Sequence, residues 1–171
     1  LSEALDGAAA GLPVVFGVIM GTGVGGGIVI NGRLIEGLQH IAGEWGHNPL
    51  ETDGPACYCG RRGCVETLIS GPGVVRDYAG QTGDVALDVQ QILARAAAGE
   101  VAAEAALQRF FARFGRALAG VINILDPHAI VLGGGQTDAA LPGAITGGGL
   151  EVLTEPVKIY AGARTTKNIL N

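Results

Sequence analysis

Charge is scarce in this chain. Asp, Glu, Lys and Arg supply 16% of its 171 residues, which excludes the highly charged, core-less composition of a disordered segment. The little charge present sums to −5 with no run of Lys or Arg, so the footprint of nucleic-acid binding is missing from this segment. Long hydrophobic runs are missing as well: no apolar stretch reaches the roughly 18 residues of a membrane span, because Gly or Pro breaks the longest ones. The first residues carry acids and no basic secretory leader, and the expectation is a soluble, cytoplasmic domain without a membrane partner. Methionine occurs once, as Met20 inside an apolar run, and the chain opens on Leu1. Residues 2–11 read as the last turns of a helix stopped at Gly11, so a piece of a longer protein is expected.

What is present is a core. Apolar residues make up 48% of a length that suits one domain. Residues 13–20 are β-branched and almost wholly apolar, as a buried strand should be. A glycine run follows, Gly21-Thr22-Gly23-Val24-Gly25-Gly26-Gly27, then a second strand over residues 28–30. Asn31-Gly32 is a hairpin turn, with the return strand over residues 33–35. Residues 36–64 show no periodicity and are rich in Gly, Pro, Cys and His; a loop that long in a compact domain is functional or held by something other than its own core. Pro72 opens a helix, and residues 84–98 form another, stopped at Gly99. The best helix covers residues 100–125, with Leu107, Phe111, Phe114, Leu118, Ile122 and Leu125 on one face. Gly115 and Gly120 within it suggest a close backbone neighbour. Asp126-Pro127 ends it, and residues 129–132 form a short buried strand running into Gly133-Gly134-Gly135. Three strands, then helices, then a strand point to a mixed α/β domain.

All three cysteines and one of three histidines fall within 18 residues, as His47, Cys57, Cys59 and Cys64. Three thiolates and an imidazole fill a tetrahedral Zn²⁺ shell with no open position, the structural type of site. With little apolar material in the loop, a metal would supply its folding free energy. The competing reading is a disulfide with a spare thiol, disfavoured by the strained Cys-x-Cys ring, the odd count and a reducing compartment.

Gly21, Gly23 and Gly26 form a G-x-G-x-x-G, but a strand follows where a dinucleotide fold needs a helix, and no Gly-Lys-Ser/Thr makes it a P-loop. What remains is either a tight turn between strands or a backbone cradle whose N–H groups, with the Thr22 hydroxyl, face phosphate oxygens. Gly133-Gly134-Gly135 is likewise either an ordinary strand-to-helix turn or a surface for a flat ligand. Glu44 and Glu66 flank the metal loop, where paired carboxylates can accept polyol hydrogen bonds; a solvated surface role is the alternative.

Four motifs together resemble the ROK family of repressors and sugar kinases. They are the glycine run from Gly21, Gly43-Glu44-Trp45-Gly46-His47-Asn48-Pro49-Leu50, Cys57-Tyr58-Cys59-Gly60-Arg61-Arg62-Gly63-Cys64-Val65-Glu66, and Val131-Leu132-Gly133-Gly134-Gly135. The resemblance implies an actin-like ATPase (ribonuclease H-like) lobe with an inserted zinc-binding loop over residues 36–66. Residues 1–11 would end an inter-lobe helix, residues 136–171 would be a divergent tail, and the amino-terminal lobe would be a missing partner. By the same resemblance Glu44, His47 and Glu66 hold a hexose, His47 with one ring nitrogen on zinc and the other toward the sugar. Gly21, Thr22 and Gly23 would face the phosphates of ATP, which brings Mg²⁺, and Gly133, Gly134 and Gly135 the adenosine.

The wording of the second and third motifs resembles the fructokinase and mannokinase branch, and relatives are often homodimers. The reaction implied is transfer of the γ-phosphoryl group to a sugar hydroxyl. Relatives take the hydroxyl proton with the Asp of an Asn-Asp pair; this chain contains none, so no catalytic residue is assigned and the chain alone is expected to be inactive. The alternative within the family is the sugar-sensing part of a repressor. Outside it stands a sugar-binding or structural zinc domain.

Overall fold

The computed structural model describes residues 2–85, 88–134 and 158–161. Strands β1 (Val14–Met20), β2 (Val24–Ile30), β3 (Arg33–Ile35), β4 (Ala129–Gly133) and β5 (Lys158–Ala161) form one sheet in the order β3-β2-β1-β4-β5. The first three make an antiparallel meander, while β4 runs parallel to β1 and β5 parallel to β4. Asn31 and Gly32 both have positive φ, 50° and 74°, the backbone a type I′ hairpin demands. Strand β2 begins four residues earlier than the sequence pattern predicts, so Gly25, Gly26 and Gly27 lie within it and the turn shrinks to Gly21-Thr22-Gly23.

Side-chain alternation divides the sheet. Phe16, Val18, Met20, Val24, Ile130 and Leu132 face the helices and form the main core with them. Val15, Val29, Ala129 and Val131 face the other side, with Ala4 and Ala9. The helix expected over residues 2–11 is shorter: α1 covers Ser2–Leu5, and turns lead from it to Gly11. Between sheet and helices, α2 (Val65–Ile69) is a short helix that the sequence pattern leaves as loop; it places Glu66 in a first helical turn. Helix α3 (Gly71–Thr82) opens with Pro72 after a Ser70 cap, whose Oγ accepts from the Gly73 N–H at 3.2 Å. Helix α4 (Val89–Ala97) starts later than predicted because Asp88 and Gln91 form a capping box.

Helix α5 (Val101–Leu125) has the expected length. Its buried face is centred on Phe110, Phe114, Leu118 and Ile122, with Ala103 and Ala106 before them and Ala117 among them; Leu107, Phe111 and Leu125 flank it half-buried. No atom approaches Gly120 closely enough to need a glycine there, contrary to the expectation of a close backbone. No helix among the described residues is long and apolar enough to cross a membrane.

Candidate functional site

Strands β1 and β4 are parallel and end together, with Ile19 opposite Gly133. Ligands of open α/β sheets bind outside such carboxyl ends. Gly21-Thr22-Gly23 leaves β1 here, Thr22 exposed, and Gly134 leaves β4 at φ 106° with its Cα against the backbone of Met20. A side chain at Gly134 would collide with that backbone. The two glycine motifs, more than a hundred positions apart, therefore adjoin; Gly135 lies outside the described residues. Gly71 N–H donates to the Gly21 carbonyl at 2.9 Å and ties the start of α3 to the turn.

The rest of the glycine run has a different task. Trp45 is buried and stands edge-on to Phe16 and Phe114, at centroid distances of 5.7 and 6.5 Å. Its Nε1–H donates to the Gly25 carbonyl at 3.0 Å. A Cβ on Gly26 would lie 2.9 Å from both the Trp45 and Phe16 rings and 2.7 Å from the Gly43 carbonyl oxygen. Gly25 to Gly27 thus make room for the loop that carries Glu44 and His47. Of the run, Gly21-Thr22-Gly23 alone lies outside strand β2, in the turn that follows β1.

Beyond Trp45 the loop is stitched by backbone. Glu66 N–H donates to Gly46 C=O at 2.8 Å, Val65 N–H to Asn48 C=O at 3.0 Å, and Cys57 N–H to Arg61 C=O at 2.8 Å. Pro49 pairs with Cys64 and Ala56 with Arg62 in isolated antiparallel bridges. These contacts gather the cysteines and histidine predicted from sequence. One ligating atom from each of His47, Cys57, Cys59 and Cys64 lies within 4.8 Å of all the others. Cys57 Sγ is 3.4 Å from His47 Nδ1, and Cys59 Sγ is 3.6 Å from Cys64 Sγ. Tetrahedral bonds of 2.0–2.3 Å to zinc would separate donors by about 3.7 Å, so the donor set fits that ion in number, type and spacing. All three thiols are free of disulfides. Burial, with hydrogen bonds from Cys59 and Cys57, pushes the Cys64 thiol up to about 12; a backbone hydrogen bond at Arg61 pulls that of Cys59 down.

Both flanking carboxylates lie beside the start of β2. Glu66 Oε2 accepts from the Val24 N–H at 3.0 Å, and a Cβ on Gly23 would meet the same oxygen at 2.7 Å. A Cβ on Gly25 would stand 4.0 Å from Glu44 Oε1. Tyr58 completes the group: desolvation of its hydroxyl end, then the charges of Glu66, Cys57, Glu44 and Cys59, raise its pKa. Acids, metal ligands and the glycine turn are thus one neighbourhood.

Sequence reasoning missed three parts of this neighbourhood. The Val24 to Glu66 bond spans 42 positions and leaves no local pattern. The second is an ion network in which Arg113 bridges Glu51 of the loop, at 3.0 Å, and Asp77 of α3, at 2.7 Å, with Arg116 and Arg109 joining the two acids. The third is Tyr58 itself, whose hydroxyl lies 2.8 Å from His47 Nε2; an aromatic between two metal-type cysteines was the available signal.

With the sheet order, the Cys₃His cluster and the two acids beside the glycine turns in place, comparison with known proteins identifies the family. The ROK family model matches residues 1–142, and the chain belongs to the ROK family. The N-acetyl-D-glucosamine kinase of Yersinia pseudotuberculosis serotype O:1b (strain IP 31758) is 41% identical over 148 residues, covering 81% of this chain and 48% of that protein. The chain thus spans about half the length of the curated relatives it matches. The ROK hexokinase of Thermus thermophilus superposes with a TM-score of 0.78 at 34% identity, over 85% of this chain and 50% of that one. A ROK glucokinase from Streptomyces griseus, solved with glucose and AMPPNP, gives 0.73 at 32% identity, over 81% and 49%. The mixed α/β sheet is the one these actin-like kinases share.

Proposed function

We propose that the chain is the carboxy-terminal lobe of an ATP-dependent hexose kinase. Glu44, His47 and Glu66 hold the sugar, the Gly21-Thr22-Gly23 turn faces the phosphates of Mg·ATP, and Gly133, Gly134 and Gly135 flank the adenosine. The observation that carries this reading is the bond from the Val24 N–H to Glu66. It fastens a sugar-holding carboxylate to the residue after the phosphate-facing turn, so acceptor and donor sites are held in fixed register, which is most of what phosphoryl transfer asks of a protein. His47, Cys57, Cys59 and Cys64 hold a structural zinc ion. When bound, zinc supplies the cross-link that a loop with so few buried side chains lacks.

Among hexoses, fructose is the substrate to test first, because residues 43–50 and 57–60 resemble the fructokinase branch. N-acetyl-D-glucosamine and glucose come next, as the sugars in the names of the similar kinases. The whole protein would act in the cytoplasm, as a homodimer, with an amino-terminal lobe supplying the proton-accepting Asp. Titration calorimetry of the zinc-loaded chain with each sugar and with Mg·ATP tests the assignment. Glu66→Gln should weaken hexose binding at least 10-fold at unchanged zinc content, since it removes a charge-assisted acceptor. Undiminished hexose binding by Glu66→Gln would refute the site. A second reading is the sugar-sensing lobe of a repressor, supported by a ROK family transcriptional regulator, homolog of the E. coli MLC protein, at TM-score 0.69 and 30% identity. Sugar binding without any Mg·ATP binding would favour it.

A further inference from the structure

His47 presents its two nitrogens to different surroundings. Nδ1 faces the thiols, 3.4 Å from Cys57 Sγ, and Nε2 faces the Tyr58 hydroxyl at 2.8 Å. When Nδ1 is the ligating nitrogen the ring is neutral, its proton sits on Nε2, and the Tyr58 oxygen is the acceptor. An alcohol oxygen of any kind can fill that role. Tyr58 is held loosely: it is 83% exposed, and its side chain meets its surroundings through this hydrogen bond and an edge contact to the same imidazole, centroids 4.9 Å apart at 87°. Ring and hydroxyl therefore lean on one ligand and on nothing in the core. The main chain beneath is firm, because Cys57 N–H and Gly60 N–H close the knuckle and Arg61 Nη1 donates to the His47 carbonyl at 3.0 Å. A fixed backbone carrying a loosely seated side chain is the arrangement of a part that can swing away.

We propose that Tyr58 is a placeholder for substrate: in the sugar-free site its hydroxyl oxygen takes the hydrogen-bonding position on His47 Nε2 that a hexose hydroxyl occupies later. Until then it keeps the imidazole turned with Nδ1 toward Cys57, Cys59 and Cys64. The inference rests on the reading of His47 as a sugar-facing residue.

The test uses Tyr58→Phe, which keeps the ring and removes the oxygen, at an exposed position where folding is not at stake. Zinc affinity is measured by chelator competition, with and without saturating D-fructose or N-acetyl-D-glucosamine, and sugar affinity by calorimetry on the zinc-loaded chain. Loss of an outer hydrogen-bond partner should weaken zinc binding about 10-fold in the variant without sugar. Saturating sugar should remove that deficit, and the variant should bind the sugar about 2- to 10-fold more tightly, having no phenol bond to break. Equal or weaker sugar binding by the variant, or an unchanged zinc affinity, would overturn the placeholder. Sugar binding by neither form, with the zinc deficit intact, would instead overturn the sugar role of His47 and leave Tyr58 as a mere support of the metal ligand.

Discussion

Helices α2 to α5 and the loop over residues 36–64 lie against the same face of the sheet, yet different forces hold them. The helices bury Val65, Leu68, Ile69, Val74, Tyr78, Ile92, Phe110, Phe114 and Leu118 in one cluster, and removal of apolar area from water stabilises them. The loop sends only Trp45 into that cluster, rests a half-buried Leu50 against it, and leaves Leu38 and Ile41 exposed. Its shape comes from backbone hydrogen bonds and from glycines that admit other backbone, and it brings His47, Cys57, Cys59 and Cys64 together. A region of the first kind tolerates the loss of any one polar contact. A region of the second kind depends on each of a few groups, and its position can be set by a ligand.

The largest expected effects separate the two regions. Phe110→Ala should cost about 3–5 kcal/mol in urea unfolding, through the cavity it leaves, while zinc content stays unchanged. Trp45→Ala should cost a similar ~3–5 kcal/mol and also lower zinc content and sugar affinity, because Trp45 is the loop's anchor in the shared core. If both substitutions left the loop equally intact, the distinction between the regions would fail.

The next effect sharpens their junction, the ion network of Arg113 with Glu51 and Asp77. Arg113→Ala should cost about 1–2 kcal/mol, because the partners are partly exposed and solvent screens them. Hydrogen bonds from Arg113 hold the Glu51 carboxyl below its ordinary value against its desolvation, with Arg116 adding to them. Burial pulls Asp77 upward, but Arg109 and Arg113 together outweigh it and hold it down. Depressed carboxylates stabilise the fold fully above their unfolded pKa values and lose that contribution as pH falls through the folded ones. Urea midpoints should therefore be flat above about pH 5 and decline below it, and the decline should be shallower in Arg113→Ala. The smallest effect is local to the helices: Asp88→Ala removes one side of the α4 capping box and should cost about 1 kcal/mol with no change in zinc.

The same contrast governs what could be read from the chain. Strands β1, β3 and β4, the Asn31-Gly32 turn and α5 were legible because apolar periodicity and turn chemistry are local signals. The Cys₃His set was legible because metal-ligand types cluster within 18 residues. Hidden from that reading were contacts between distant segments: Gly134 against Met20, Gly26 beneath Trp45, and Val24 N–H on Glu66. Gly25 to Gly27 carried a glycine signal whose cause, the close approach of residues 43–45, lies 16 or more positions away. Helix α2 was missed because five residues are too few to show a period. The divergent tail expected over residues 136–171 lies outside the described residues except at 158–161, where β5 pairs in parallel with β4.

The most direct test of the account is the zinc content of the chain, purified under reducing conditions without chelator, beside that of Cys59→Ser. The account predicts about one zinc per chain, lost in the variant while the far-UV helical signal of α3 and α5 persists. A chain that folds, binds hexose and carries no zinc would contradict it.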